Sequence, residues 1–135
     1  MFSSETKIRV RYSETDQMGF MYYGNYPQYF EVARAEGLRD VELTYKMMED
    51  SGVGMPVAQM DISYKRPAKY DDLLTVKTTV NELPTSKIIF HHEVYNEQGE
   101  LLTLAKLVLG FMNIETKRPT RCPQMLLDKM LPYFN

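Results

Sequence analysis

Tyr26-Pro27-Gln28-Tyr29-Phe30-Glu31-Val32-Ala33-Arg34-Ala35-Glu36-Gly37-Leu38 is the stretch that decides how this chain folds. Tyr29, Phe30, Ala33 and Gly37 or Leu38 recur at helical spacing, with Gln28, Glu31 and Arg34 on another side. Pro27 marks the start, because its missing N–H costs nothing in a first helical turn. With Tyr26, Val32 and Ala35 added, the segment is apolar over much of its circumference, more than a surface helix requires. Such a helix is expected to be wrapped by a sheet.

Upstream, Arg11-Tyr12-Ser13-Glu14-Thr15-Asp16-Gln17-Met18-Gly19-Phe20-Met21-Tyr22-Tyr23-Gly24-Asn25 leads into it. Ile8, Val10 and Tyr12 alternate with Lys7, Arg9 and Arg11, the period of a strand with one buried face. The connection places one carboxylate, Asp16, just before a helix start. A helix N-terminus offers unpaired N–H groups and a partial positive charge that stabilise an oxyanion, and a nearby carboxylate serves as general base or nucleophile. The combination is a candidate site for acyl transfer.

Downstream, a shorter helix is expected through Leu43, Met47 and Met48, stopped by Gly52, with a turn at Gly54 and Pro56. Alternation then returns in Val57 to Tyr64, Leu73 to Val80 and Ile88 to Tyr95. The breaks at Glu82 to Ser86 and Asn96 to Gly99 are short enough for hairpins. Leu101 to Ile114 is nearly continuous in apolar residues, which predicts a strand buried on both faces, with Gly110 as a bulge. Pro123 to Phe134 reads as a terminal helix limited by Pro132. Helix and sheet are segregated along the chain, so the fold class is α+β.

The 135 residues suit one domain spanning 1–135. A net charge of −2 from 16 basic and 18 acidic residues gives no general attraction for nucleic acid or membrane. Cys122 is the sole cysteine, which excludes an internal disulfide, and Met1-Phe2-Ser3-Ser4-Glu5-Thr6-Lys7 lacks the apolar run of a secretory signal. A cytoplasmic protein is expected.

Four segments in order resemble the small hotdog-fold acyl-CoA thioesterases of the 4-hydroxybenzoyl-CoA thioesterase type. They are Thr15-Asp16-Gln17-Met18-Gly19, Tyr22-Tyr23-Gly24-Asn25-Tyr26, Phe30-Glu31-Val32-Ala33-Arg34 and Arg66-Pro67-Ala68-Lys69-Tyr70-Asp71-Asp72. The resemblance implies about five antiparallel strands wrapped around the long helix, and subunits paired edge to edge as a homodimer or homotetramer with sites at the interface. It implies hydrolysis of acyl-CoA with no cofactor, Asp16 as general base or nucleophile, the backbone N–H of Tyr23 or Gly24 as oxyanion donor, and Glu31 as the helix acid. Tyr23 stands where many relatives have His, and a phenol is no base at neutral pH.

Asn25 is a candidate substrate contact or a simple cap, and Glu31 is either a site residue, solvated, or paired with Arg34. Lys65, Arg66 and Lys69 are candidates for gripping coenzyme A phosphates. Phe20, Met21, Met47 and Met48 are candidates for lining an acyl pocket. His91 and His92 are neighbours on a strand, point to opposite faces and cannot jointly hold a metal. No metal is expected. Three other readings remain open at this point: a non-catalytic acyl-CoA-binding protein, a thioesterase acting on acyl-carrier-protein thioesters, and a hydratase that would need an Asp/His pair.

Overall fold

A computed structural model describes residues 1–134. In chain order the elements are β1 (Phe2–Arg9), α1 (Tyr26–Asp40), α2 (Tyr45–Asp50), β2 (Val53–Gly54), β3 (Val57–Tyr64), β4 (Leu73–Val80), β5 (Lys87–Tyr95), β6 (Leu101–Asn113), β7 (Pro119–Thr120) and α3 (Gln124–Met130). The five long strands form one antiparallel sheet in the order β1-β4-β5-β6-β3, and the short β2 and β7 pair with the end of β6. The sheet curls around α1, so the fold is α+β and of the hotdog kind.

Alternation explains the layering. Leu74, Val76, Thr78 and Val80 of β4 and Ile88, Phe90, His92 and Val94 of β5 all point inward and are buried. Tyr26, Tyr29, Phe30, Ala33, Gly37 and Leu38 of α1 meet them, and each large apolar side chain so buried contributes roughly 1.5–3 kcal/mol. Helix and sheet approach closely at Gly37, where a Cβ would lie 2.7 Å from Ser4 Oγ of β1.

Several expectations are corrected. The first strand begins at Phe2 and ends at Arg9, and Tyr12 stands exposed in a 3-10 turn over Tyr12–Glu14. Along its second half β6 is buried on one face only. Ala105, Leu107, Leu109 and Phe111 are inside while Lys106 is exposed and Val108 half-buried, because no second layer covers the outer face. Gly110 is no bulge. It pairs in register with Lys87, and the irregularities fall between Val57 and Gln59 and between Val94 and Tyr95. Gly54 belongs to β2 rather than a turn, and Leu43 is buried ahead of α2, which Thr44 caps by accepting from Met47 N at 3.0 Å.

On α1, Val32 faces outward and Arg34 inward, the reverse of the simple apolar assignment. The buried Arg34 guanidinium lies over the Phe90 ring, 5.9 Å from its centroid, and its Nε donates to Tyr45 Oη at 3.3 Å. Glu31 therefore does not pair with it. β3 is exposed along almost its whole length, including Val57, Met60 and Tyr64; Ile62 alone is half-buried, packed against the core, and the Tyr64 ring lies 5.7 Å from that of Tyr26 on α1.

Candidate active site

Residues 14–22 fold into a small hairpin that no helix or strand pattern announces. Thr15 bridges Met21, Asp16 N donates to Phe20 O at 2.8 Å, and Tyr22 N donates to Glu14 O at 2.8 Å. Gly19 closes it with a φ of +80°, a conformation that suits glycine. The hairpin docks on the segment after β3: Met21 N donates to Ala68 O at 2.8 Å and Tyr70 N to Gly19 O at 3.2 Å. In this way the loop carrying Asp16 and the basic segment Lys65 to Lys69 are sewn together.

Asp16 is half-buried, and its Oδ1 accepts from Met18 N at 2.9 Å and Phe20 N at 3.2 Å. This is the local turn bond that aspartate favours. It also fixes the carboxylate, leaving Oδ2 without a hydrogen-bond partner among the described residues. A cleft of about 510 Å³ opens beside it, lined by Asp16, Phe20, Met21, Tyr23, Tyr26, Tyr64, Lys65, Arg66, Pro67 and Ala68.

Tyr23 and Gly24 begin a 3-10 turn over Tyr23–Asn25 that runs straight into α1. The bonds of that turn come from Asn25 N and Tyr26 N, and among the described residues the N–H groups of Tyr23 and Gly24 have no acceptor, which leaves them as donors at the end of a helical stack. A Cβ on Gly24 would lie 2.5 Å from the Tyr22 ring, so glycine lets that ring pack across the turn.

The remaining candidates divide. Lys65 and Arg66 line the Asp16 cleft, with Arg66 Nη1 2.7 Å from Glu100 Oε2, while Lys69 faces an adjacent depression that Arg66 also reaches. Phe20 and Met21 line the cleft, whereas Met47 is exposed at the surface and Met48 belongs to the core. Asn25 neither caps α1 nor borders the cleft; its Nδ2 donates to Glu14 O at 2.9 Å. Glu31 is exposed, outside the cleft and without an ion pair among the described residues.

Neither histidine lines the cleft, which leaves a hydratase-type Asp/His pair unformed in this subunit. His92 is buried against Phe30, rings 4.7 Å apart and nearly parallel, with Nδ1 3.0 Å from Thr78 Oγ1. Burial, reinforced by the charge of Arg34, pushes its pKa down to about 3. Among the described residues no group of three His, Cys, Asp or Glu side chains is placed to hold a metal.

Glu14 is the residue the sequence did not single out. It is buried, 5% exposed, with Oε1 accepting from Tyr29 Oη at 2.6 Å and Arg11 N at 2.9 Å, and Oε2 from Arg11 Nη2 at 3.1 Å. Burial alone would raise its pKa, but the hydrogen bonds from Arg11 and Tyr29 outweigh it and hold the carboxyl below its ordinary value. The only sequence signal was the spacing of Glu14 three residues after Arg11.

A curled antiparallel sheet around one long helix, with Asp16 and Tyr23 lining one cleft, is the arrangement of a hotdog protein. A profile of the thioesterase-like superfamily matches residues 10–130, and the chain belongs to that family. YneP of Bacillus subtilis (strain 168), provisionally named an acyl-CoA thioesterase, is 40% identical over 101 residues, 75% of this chain and 73% of YneP. The acyl-CoA thioesterase YbgC of Haemophilus influenzae is 30% identical over 118 residues, 87% of this chain and 86% of YbgC. A crystal structure of DHNA-CoA thioesterase from Staphylococcus aureus superposes with a TM-score of 0.90 at 34% identity, covering 98% of this chain and 89% of that one.

Proposed function

We propose that this protein, as one domain over residues 1–135, hydrolyses an acyl-CoA thioester to the free acid and coenzyme A. The observation that carries this function is a cleft lined by both Asp16 and Tyr23, the latter opening, with Gly24, the turn whose first N–H groups have no acceptor among the described residues. The thioester oxygen accepts from those N–H groups as negative charge develops on it, the interaction that stabilises the transition state most. Asp16 Oδ2 either takes a proton from the attacking water or attacks the carbonyl carbon itself; in both routes the C–S bond breaks and the thiolate of coenzyme A leaves, and in the second a water then cleaves the acyl–Asp16 anhydride to free acid and carboxylate.

Phe20, Met21, Tyr26 and Tyr64 give the acyl group an apolar wall, while Lys65 and Arg66 stand where a phosphate would pass. Glu31 and Asn25 are not needed by this scheme within one subunit. The enzyme works as a homo-oligomer, at least a dimer, which the uncovered β3 supports. A reducing cytoplasm suits its single Cys122, and no described helix is long and apolar enough to cross a membrane.

The experiment is a hydrolysis screen over aromatic and aliphatic acyl-CoA and acyl-carrier-protein thioesters, with free thiol as readout. Turnover of at least one acyl-CoA is expected. Binding of acyl-CoA without thiol release would contradict hydrolysis, and turnover confined to carrier-protein substrates would reassign the thiol partner.

A further inference from the structure

Glu14 is the one carboxylate buried among the described residues, and no step of the proposed chemistry uses it. Its bonds join three pieces of chain that the chemistry needs in register. The side chain reaches Tyr29 in the first half of α1 and both the backbone and guanidinium of Arg11. The backbone oxygen accepts from Tyr22 N at 2.8 Å and from Asn25 Nδ2 at 2.9 Å. Those last two donors flank Tyr23 and Gly24, while Asp16 lies two residues beyond Glu14 on the same strand of the hairpin. One residue thus holds both ends of the donor turn and the base of the Asp16 strand.

We infer that Glu14 is a positioning residue: its carboxylate holds the hairpin to Tyr29 of α1 and its main-chain oxygen holds Tyr22 N and Asn25 Nδ2, which together fix the N–H groups of Tyr23 and Gly24 relative to the Asp16 carboxylate. This role rests on the thioesterase site proposed for Asp16 and the donor turn. A buried carboxylate suits the task because its two oxygens accept three hydrogen bonds at once, and because breaking any of them leaves a desolvated polar group, so the arrangement resists slippage. An oxyanion contact depends steeply on placement, and an error on the order of 1 Å costs about 100-fold in rate. Asn25 is accordingly a strut of this frame and makes no contact with substrate.

Tyr29→Phe removes one hydrogen bond without changing shape, Asn25→Ala removes one end of the clamp, and Glu14→Gln replaces the carboxylate by an amide that cannot accept from Arg11 Nη2. In each, kcat is expected to fall about 10- to 100-fold while KM stays within about twofold, since the loss falls on the transition state. Amide hydrogen exchange, read by NMR, should quicken at Tyr22 and Asn25 and stay unchanged in β4 and β5. Folded Tyr29→Phe and Asn25→Ala proteins with wild-type kcat would overturn the inference, and these two decide it if Glu14→Gln fails to fold. If wild-type protein shows no thioester turnover, the parent assignment fails separately, and exchange alone then decides: unaltered rates at Tyr22 and Asn25 would overturn the frame.

Discussion

Three ionisable side chains show how one residue type changes meaning with its surroundings. His92 is neutral because it is buried beside Arg34, with a pKa of about 3 against an ordinary 6.5. In the unfolded chain it binds a proton below about pH 6.5, while the folded chain does not until near pH 3, so this group makes stability fall as pH drops through that window. The slope is about 1.4 kcal/mol per pH unit for one proton. Glu14 adds a loss in the same direction at lower pH, because its depressed pKa contributes stability that vanishes as pH falls through the folded value. Urea unfolding between pH 7 and pH 5 should show the His92 slope, and His92→Phe should flatten it; an equal slope in both proteins would show that another group titrates.

Arg66 is exposed and shares only one of its N–H groups with Glu100, so the rest of the fork is available to a phosphate at the cleft mouth. Arg66→Ala is expected to raise KM for acyl-CoA about three- to tenfold with kcat nearly intact, and added salt should narrow the difference. A thioester lacking the nucleotide should be hydrolysed equally by both proteins. Equal impairment on both substrates would assign Arg66 to the scaffold or the chemistry.

At the scale of elements, period and turn chemistry foretold β3, β4 and β5 within a residue, and the start of α1, since these follow from which side chains must leave water. The faces of α1 were less legible. Arg34 is inside because Phe90 and Tyr45 receive its guanidinium, and a helical wheel carries no information about such partners. The Asp16 hairpin was invisible for a related reason: its cross-bonds and its docking on Ala68 and Tyr70 are tertiary. Asp16 drew attention from its place before a helix, and Tyr23 and Gly24 from the family resemblance, but Glu14 looked like one more polar loop residue.

β3 carries the prediction at this scale. Its exposed Val57, Met60 and Tyr64 and its unpaired edge would promote uncontrolled association unless a second copy covers them. Sedimentation at micromolar concentration should give at least a dimer, and Met60→Asp should shift it toward monomer. A stable wild-type monomer would remove the oligomer and any role for Glu31 across an interface.

At the scale of the whole molecule, the sheet and α1 form the frame, and the proposed site lies where the 14–22 hairpin, the turn into α1 and the segment after β3 converge. The family match over residues 10–130 takes in the 14–22 hairpin, α1 and β3 to β6, and leaves β1 outside it. The central claim is that Asp16 drives thioester cleavage, with the N–H groups of Tyr23 and Gly24 as the proposed oxyanion donors. Steady-state hydrolysis of an accepted acyl-CoA by wild-type and Asp16→Asn proteins tests it most directly, with circular dichroism and sedimentation confirming that the variant keeps its fold and assembly. The amide preserves the turn bonds to Met18 and Phe20 yet serves poorly as base or nucleophile, so kcat should fall about 10²- to 10⁴-fold. Wild-type turnover in a folded, assembled Asp16→Asn protein would contradict it.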